Sequence, residues 1–411
     1  MELKIKQECP QCGAPIVISE SDHILSCPFC GVNNFITQTG LQRYVLPGKV
    51  SGFGTTLYAP YLRFKGNVFV VTEKGVDYRA VDTTHAGHPH SRLPPSLGLR
   101  PQAMELERLI SKRKGSYLEP SLKVGQILGK AAQISELTGK FGDYMYHRAF
   151  IGETLSYIYL PLALKDDMLL DGVTGAKVVD PENSERLFES GQKYKSRWRI
   201  GFKPTLCPHC GADLEGAGDC LVLHCGNCRK AWELSNNELS EIIWRVAPGD
   251  GTTKLYLGFW RITGRIDAMG IHSLADFFER TTQPVVPKPE WRRQIMSYWI
   301  PAFKLSPKRF LHLAKQVTQA QWRVKLSTMR KLPNFYPVTM SSSEAKQSIK
   351  ITLAETAARR RKLYALLPEA QVSGMGISLV YLPFSDKGHD WVQQHTLAVV
   401  EKNVLRFGRS M

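Results

Sequence analysis

The sequence predicts an α+β protein made of two tandem homologous lobes. Each lobe opens on a four-cysteine module and continues as a β-rich block with helical insertions. Three observations lead there. Eight of the nine cysteines fall into two sets with identical spacing. The 198-residue offset between Cys9 and Cys207 carries every member of the first set onto the second, and it carries flanking residues too. Strand-like segments rich in β-branched and aromatic residues follow each set. At 411 residues the chain is long enough for two or three domains of about 100–200 residues. Its 43% hydrophobic and 22% charged content excludes a mainly disordered or collagen-like chain.

The first module is Cys9-Pro10-Gln11-Cys12, fourteen residues, then Cys27-Pro28-Phe29-Cys30. A two-residue gap lets both thiolates of a pair face one ion from a tight turn. The spacer is long enough for a hairpin that returns the second pair. Gly13 and Gly31 follow their pairs, where the turn favours a residue tolerant of positive φ. Segments 57–64, 67–72 and 76–81 read as strands, the last two joined at Glu73-Lys74-Gly75. A helical stretch is expected over 103–114, and 155–162 reads as a strand. The second module is Cys207-Pro208-His209-Cys210, fourteen residues, then Cys225-Gly226-Asn227-Cys228. A strand is expected at 254–263, helical segments at 273–279 and 307–319, a long helix at 344–366, and strands at 379–383 and 395–407. The implied domains are 1–40, 41–198, 199–238 and 239–411. Recurring Tyr-Pro segments (Tyr44 to Pro47, Tyr58 to Pro60, Tyr159 to Pro161, Tyr298 to Pro301, Tyr381 to Pro383) are expected at strand edges or ends, because proline removes a ladder donor.

Four cysteines at these spacings suit a closed tetrahedral zinc site with Zn–S of about 2.3 Å and no open position, hence a structural one. The expected ligands are Cys9, Cys12, Cys27 and Cys30 for one Zn2+, and Cys207, Cys210, Cys225 and Cys228 for the other. Disulfides and an iron site are the alternatives. Both segments resemble the zinc-ribbon family, through Cys9-Pro10-Gln11-Cys12-Gly13 and Cys207-Pro208-His209-Cys210-Gly211, over roughly 35 residues each. Cys220 is read as a free thiol, and His224 as a surface residue of the second module.

Beyond the cysteines the offset places Leu57-Tyr58 on Leu255-Tyr256, Arg63 on Arg261, Gly66 on Gly264 and Thr83-Thr84 on Thr281-Thr282. Periodic self-similarity of this kind precedes any fold assignment.

The net charge is +17 and is unevenly distributed. Residues 1–198 carry 24 basic and 20 acidic side chains; residues 199–411 carry 30 and 17. From Trp291 to Ser343 there is no acidic residue. Such asymmetry points to a polyanionic partner. The candidate contacts are Arg292, Arg293, Lys304, Lys308, Arg309, Lys315, Arg323, Lys325, Arg359, Arg360 and Arg361. The interleaved Trp291, Trp299, Phe303 and Phe310 are expected on an amphipathic face turned into the core.

Signs of an enzyme are weak. The Gly125–Ala131 echo of a phosphate loop has three residues between its glycines and lacks the Ser or Thr that would bind magnesium. Neither a Gly-x-Ser-x-Gly elbow nor a His-Glu-x-x-His helix occurs. Asp166-Asp167 reads as a solvated turn. His85, His88 and His90 read as an exposed loop. No run of about 18 apolar residues occurs, and the first residues lack the apolar core of a signal peptide, so a cytoplasmic location is expected. The sequence therefore suggests a non-enzymatic zinc-ribbon scaffold of a cytoplasmic assembly. It would have protein partners, with a basic second half that grips nucleic acid. An adaptor docking on an acidic subunit or an anionic membrane surface is the alternative, and an enzyme subunit a lesser one.

Overall fold

The computed structural model describes residues 3–38, 40–48, 56–109, 113–120, 144–166, 168–179, 181–193, 200–235, 237–328 and 334–408. The chain forms two compact units. The first gathers Met1–Gly66, Val81–Ser135 and Glu153–Pro204; the second gathers Asn67–Ala80, Glu136–Gly152 and Thr205–Met411. Strands and helices mix in an α+β arrangement. The phosphate-loop echo at 125–131 and Asp167 lie outside the described residues; Asp166 is exposed in a turn.

In the first unit, Lys4–Glu8 pairs antiparallel with Pro15–Ser19, and Asn33–Gln38 lies between Ile24–Ser26 and Ile200–Pro204. The main sheet is organised on the long strands Thr56–Thr72 and Met145–Lys165, which pair with each other. Their alternate faces bury Leu57, Tyr61, Ile158 and Leu160 in one apolar cluster with Tyr44 and Leu46. In the second unit, Thr253–Arg265 is flanked by Ser297–Pro301 and Ser373–Lys387. The helix Pro307–Ala320 starts with proline at its first turn, where the missing N–H costs nothing. It buries Phe310, Leu313, Ala314 and Val317, the spacing of one helical face. Thr318 Oγ1 accepts the Trp299 backbone N–H at 2.9 Å, tying this helix to the sheet. The hairpin turn falls at Glu73-Lys74, as expected. Residues 67–80 at its tip pack within the second unit, where Asn67 Nδ2 donates to the Leu305 carbonyl at 3.1 Å and Phe69 meets Phe310 at 6.1 Å between ring centroids.

One pairing scheme occurs twice. Gln42–Val45 runs parallel to Met145–Lys165 with Val45 opposite Tyr159, and Trp244–Val246 runs parallel to Ser373–Lys387 with Val246 opposite Tyr381. The next amide donates back in each, Leu46 to the Tyr159 carbonyl and Ala247 to the Tyr381 carbonyl. Val45 faces Glu107 and Val246 faces Ser327, both antiparallel. Tyr58 has Tyr117 as its parallel neighbour, and Tyr256 has Phe335. The Leu118 amide donates to the Tyr58 carbonyl and the Tyr336 amide to the Tyr256 carbonyl, each at 3.0 Å. Finally, Gly87 donates to the Pro60 carbonyl and Ala302 to the Gly258 carbonyl. Tyr58 and Tyr256, and Pro60 and Gly258, stand at the 198-residue offset.

The repeated scheme corrects the expectation for the prolines. Pro301 does end its strand, but Pro60, Pro161 and Pro383 lie inside long ones. Pro161 sits where its strand changes neighbour. The parallel partner reaches Tyr159, and the antiparallel partner Met168–Asp171 begins at Leu162. Pro383 stands between Tyr381, the last residue beside Trp244–Val246, and Ser385, the first beside Asp390–Val392. At such a changeover no amide donor is required on that side, so proline is tolerated within the sheet.

Three helix and strand expectations also change. The stretch 103–114 is not a helix across its described residues. A single turn, Arg100–Ala103, gives way to Glu107–Arg108, which pairs with Tyr44 and Val45. Tertiary pairing here overrides local propensity. The stretch 344–366 is three helices, Ser342–Gln347, Ile349–Thr356 and Arg360–Tyr364. Ala357 leaves helical geometry, and the Ala358 amide donates to the Thr281 carbonyl at 2.9 Å, drawing the backbone out of the helix. The segment 395–407 pairs only over Val399–Glu401 and then forms a helix, Lys402–Gly408. Past Glu401 the described residues offer it no further strand, so the chain satisfies its backbone internally.

Arg63, on Thr56–Thr72, is wholly buried. Its guanidinium meets Glu20 at 2.6 Å and Asp82 at 2.8 Å and 2.9 Å. Burial alone would raise the Asp82 carboxyl; the Arg63 hydrogen bonds and charge outweigh it and hold Asp82 below the ordinary carboxylate range. Asp82 therefore contributes stability that is complete above the unfolded-state value of about 3.9 and is lost as pH falls through its lower folded value. Arg63→Met leaves the buried Glu20 without its cation and should cost about 3–5 kcal/mol. Hydrogen exchange at the amides of Thr56–Thr72 checks this. The expected result is faster exchange in the variant at pH 7, and loss of protection in the parent as the pH is lowered below about 4.

Candidate metal centres and basic segment

Each cysteine pair sits on a tight turn closed by two backbone hydrogen bonds. The Gly13 amide donates to the Cys9 carbonyl at 2.9 Å, and the Cys9 amide to the Ala14 carbonyl at 2.9 Å. The same pair of bonds recurs at Cys27 with Gly31 and Val32, at Cys207 with Gly211 and Ala212, and at Cys225 with Arg229 and Lys230. The third residue after the first cysteine of the pair begins the turn's exit, and the fourth takes positive φ: Gly13 at 73°, Gly31 at 72° and Gly211 at 74°. In the last turn the same task falls to Arg229, at φ 62°. Its carbonyl accepts the Trp244 indole N–H at 2.8 Å, which anchors the turn to the strand Trp244–Val246.

These turns bring four sulfurs together twice. Cys9 and Cys30 are 3.8 Å apart, and Cys12 and Cys27 3.7 Å. Cys207 and Cys228 are 3.6 Å apart, and Cys210 and Cys225 3.5 Å. Within each set all four ligand atoms lie within 4.8 Å of one another. Sulfurs placed about 2.3 Å from a common centre at tetrahedral angles stand about 3.8 Å apart, so both sets fit a tetrahedral thiolate-bound ion. The separations exclude a disulfide, whose sulfurs are about 2.05 Å apart, and all nine cysteines are free thiols. In each set the first and third cysteines are buried and the second is exposed. Among the described residues no other group of three His, Cys, Asp or Glu side chains converges in this way. That includes His85, His88 and His90, of which His85 is buried in its strand.

Cys220 is a buried free thiol, as expected. His224 is not a surface residue. Its Nε2 lies 2.8 Å from the Tyr381 hydroxyl, and its ring packs edge-on to Trp244 and against Phe335. Burial pushes the imidazole down to about 4, so it is neutral at pH 7. His224, Cys220, Trp244, Phe335 and Tyr381 line a cavity of about 510 Å³ beside the second cysteine set. The sequence placed His224 next to Cys225 but held no signal for this packing, because Tyr381 is 157 residues away.

The eleven candidate cations lie on several elements of the second unit. Arg292 and Arg293 close a short helical turn, Pro289–Arg293. Lys308, Arg309 and Lys315 are on Pro307–Ala320, Lys304 precedes it, and Arg323 and Lys325 follow it. Arg359, Arg360 and Arg361 lie at the start of Arg360–Tyr364. Lys304 and Lys315 are half-buried, and the other nine are exposed. Among the described residues three have acidic partners: Arg292 with Glu279 at 2.7 Å, Lys315 with Glu355 at 3.5 Å, and Arg309 with Glu401. Arg360 donates to the Lys74 carbonyl. Arg323 donates to the Ile295 carbonyl and Gln321 Oε1. The aromatic residues between them are turned inward, as expected. Trp299, Phe303 and Phe310 are buried, and Trp291 is half-buried against Phe278 at 5.1 Å. They do not share one helical face: Trp299 is on a strand, Phe303 in a connection and Phe310 on a helix.

No family model, curated protein or solved structure matches this chain.

Substituting the glycines that hold positive φ gives a local test of the turns. Gly211→Ala should destabilise the second cysteine module by about 1–2 kcal/mol, because a Cβ is unfavourable in that conformation. Arg229→Gly should have the opposite sign. Thermal melts of the metal-loaded protein, followed by release of metal to a chromophoric chelator, report both changes.

Proposed function

We propose that this chain is a non-enzymatic scaffold of the zinc-ribbon type, held by two structural Zn2+ ions, that joins a cytoplasmic assembly and grips nucleic acid with its second half. The two halves descend, on this reading, from one duplicated lobe; the twice-used pairing scheme supports it. The observation that carries the binding role is the acid-free run from Trp291 to Ser343, whose described cations are mostly exposed while its large aromatic residues are mostly consumed by the core. Cations displayed with few stacking aromatics suit contacts mainly to the phosphate backbone rather than to base edges, so binding should be strongly salt-dependent and weakly selective for sequence. Zinc is favoured over other ions by the all-thiolate tetrahedral donor set, which also leaves no open coordination position.

Elemental analysis should find two zinc ions per chain. One zinc, or iron with visible absorbance, would refute that part of the reading. Cys207→Ser should retain one ion and unfold the second module locally, since removing a ligand takes away much of its folding energy.

The binding role has a separate test. Neutralising Arg292, Arg293, Lys308 and Arg309 together should weaken binding to DNA or RNA and reduce the slope of log K against log salt by roughly 0.7–0.9 for each phosphate no longer engaged. The fold should persist, because surface substitutions usually change stability by about 0.5 kcal/mol or less. Unchanged nucleic-acid binding with disappearance of a co-purifying acidic protein would favour the adaptor role instead.

A further inference from the structure

Arg63 and Arg261 hold equivalent places in the repeated scheme, and their surroundings differ in one decisive respect. Asp82 lies five residues before Gly87, whose amide bonds to the Pro60 carbonyl. Ser297 lies five residues before Ala302, whose amide bonds to the Gly258 carbonyl. Arg63 Nε donates to the Asp82 carboxylate at 2.8 Å; Arg261 Nε donates to the Ser297 hydroxyl at 3.3 Å. A neutral hydroxyl thus stands where the first half has a carboxylate. Position 218, at the offset of Glu20, is glycine. Among the described residues Arg261 has no ion pair, and its two terminal nitrogens make no hydrogen bond to protein.

Arg261 opens instead onto a cavity of about 310 Å³ whose wall includes Trp299, Trp322, Arg323 and Lys325. No acidic residue lines it. The Arg261 guanidinium lies 5.9 Å from the Trp299 ring centre. Arg323 is held by the Ile295 carbonyl at 3.0 Å and Gln321 Oε1 at 3.3 Å, both neutral acceptors that fix its direction without cancelling its charge. Trp322 is stacked on His395 at 4.4 Å, which fixes its indole in the wall. Burial lowers Arg261 and Arg323, and the charge of Arg261 lowers Arg323 further. Both nevertheless stay cationic at neutral pH. Three cations around one partly dry concavity are mutually repulsive, and an anion carrying several acceptor oxygens would relieve the repulsion.

We propose that this cavity binds one nucleotide, with its phosphate between Arg261, Arg323 and Lys325 and its base against the Trp322 wall. The inference rests on the nucleic-acid reading above and adds to it a defined site for a phosphate-bearing end of a single strand. A volume at the lower end of small-ligand pockets admits one such unit and not a duplex. Guanidinium pairs suit the phosphate, and aromatic walls accept any base.

The test uses the full chain and six probes: a nucleoside monophosphate, the matching nucleoside, inorganic phosphate, a single-stranded oligonucleotide with a terminal phosphate, its hydroxyl-ended twin, and a phosphopeptide. Binding is read by tryptophan fluorescence and by anisotropy. The monophosphate should bind at least about tenfold more tightly than either the nucleoside or inorganic phosphate, and the phosphorylated oligonucleotide more tightly than its hydroxyl-ended twin. Arg261→Gln with Arg323→Gln should abolish both preferences. Lys325→Gln, at an exposed position that cannot disturb the core, should reduce them. The outer-face variant lacking Arg292, Arg293, Lys308 and Arg309 should weaken all oligonucleotides alike and keep the preference. Equal binding of both oligonucleotides, or a preference that survives in the Lys325 and double variants, overturns the nucleotide site while salt-dependent binding by the outer face still stands. Tight monophosphate binding with no affinity for any oligonucleotide supports the pocket and refutes the nucleic-acid reading. Preference for a phosphopeptide over the monophosphate overturns the nucleotide assignment.

Discussion

Each half of this protein depends on one long strand that must change neighbours partway along. Met145–Lys165 leaves a parallel partner at Tyr159 and takes an antiparallel one at Leu162; Ser373–Lys387 does the same between Tyr381 and Ser385. Where a strand exchanges partners, an amide on that side can be left without a ladder acceptor, and Pro161 and Pro383 remove that demand by having no N–H. The tyrosine two residues earlier fills the space beside the departing strand. Tyr159 meets Tyr117 edge-on, and Tyr381 stacks on Phe335 at 3.9 Å. From this point follow the placement of Tyr58 and Tyr256, the reach of the arginines that follow them, and the seating of the second cysteine module through His224 on Tyr381.

On this shared frame the two halves use their charge differently. Arg63 is neutralised by two carboxylates and acts as a buried tie, a role that adds geometry rather than reactivity. Arg261 has the same backbone setting but meets a hydroxyl, so its charge is directed outward into a cavity. The difference matches the wider imbalance between the halves, +4 (24 basic against 20 acidic) for the first and +13 (30 against 17) for the second. A frame fixed by backbone pairing tolerates such exchange, because none of the pairing bonds involves these side chains.

The cysteine modules obey a different logic. Their strands are short, from two to six residues, and their buried side chains, Ile5, Ile16, Ile18 and Leu25 in the first and Val222 in the second, join the larger apolar clusters rather than forming cores of their own. Four thiolates grouped closely enough to hold one ion would add a second tie to elements of this size. The backbone turns form their hydrogen bonds around each pair, so the sulfurs are already grouped at tetrahedral spacing by the chain itself.

The features legible in the chain alone were local or strictly periodic: the two cysteine sets, the hairpin at Glu73-Lys74, the strand around Tyr256, the helix Pro307–Ala320, and the inward turn of Trp299 and Phe310. Each depends on neighbours within a few turns of chain, where spacing and conformational preference act directly. Everything else waited on residues that meet only in three dimensions. Apolar periodicity ran unbroken through 344–366, yet the stretch divides at Ser348 and again after Thr356, where the Ala358 amide bonds to the Thr281 carbonyl instead of continuing the helix. The prolines were placed by which strands meet at Tyr159 and Tyr381, and His224 was buried by residues more than a hundred positions away. The uncompensated charge of Arg261 was hidden for the same reason. The sequence shows Arg63 and Arg261 at the 198-residue offset, but only strand pairing aligns Asp82 with Ser297, because those two positions do not stand at that offset.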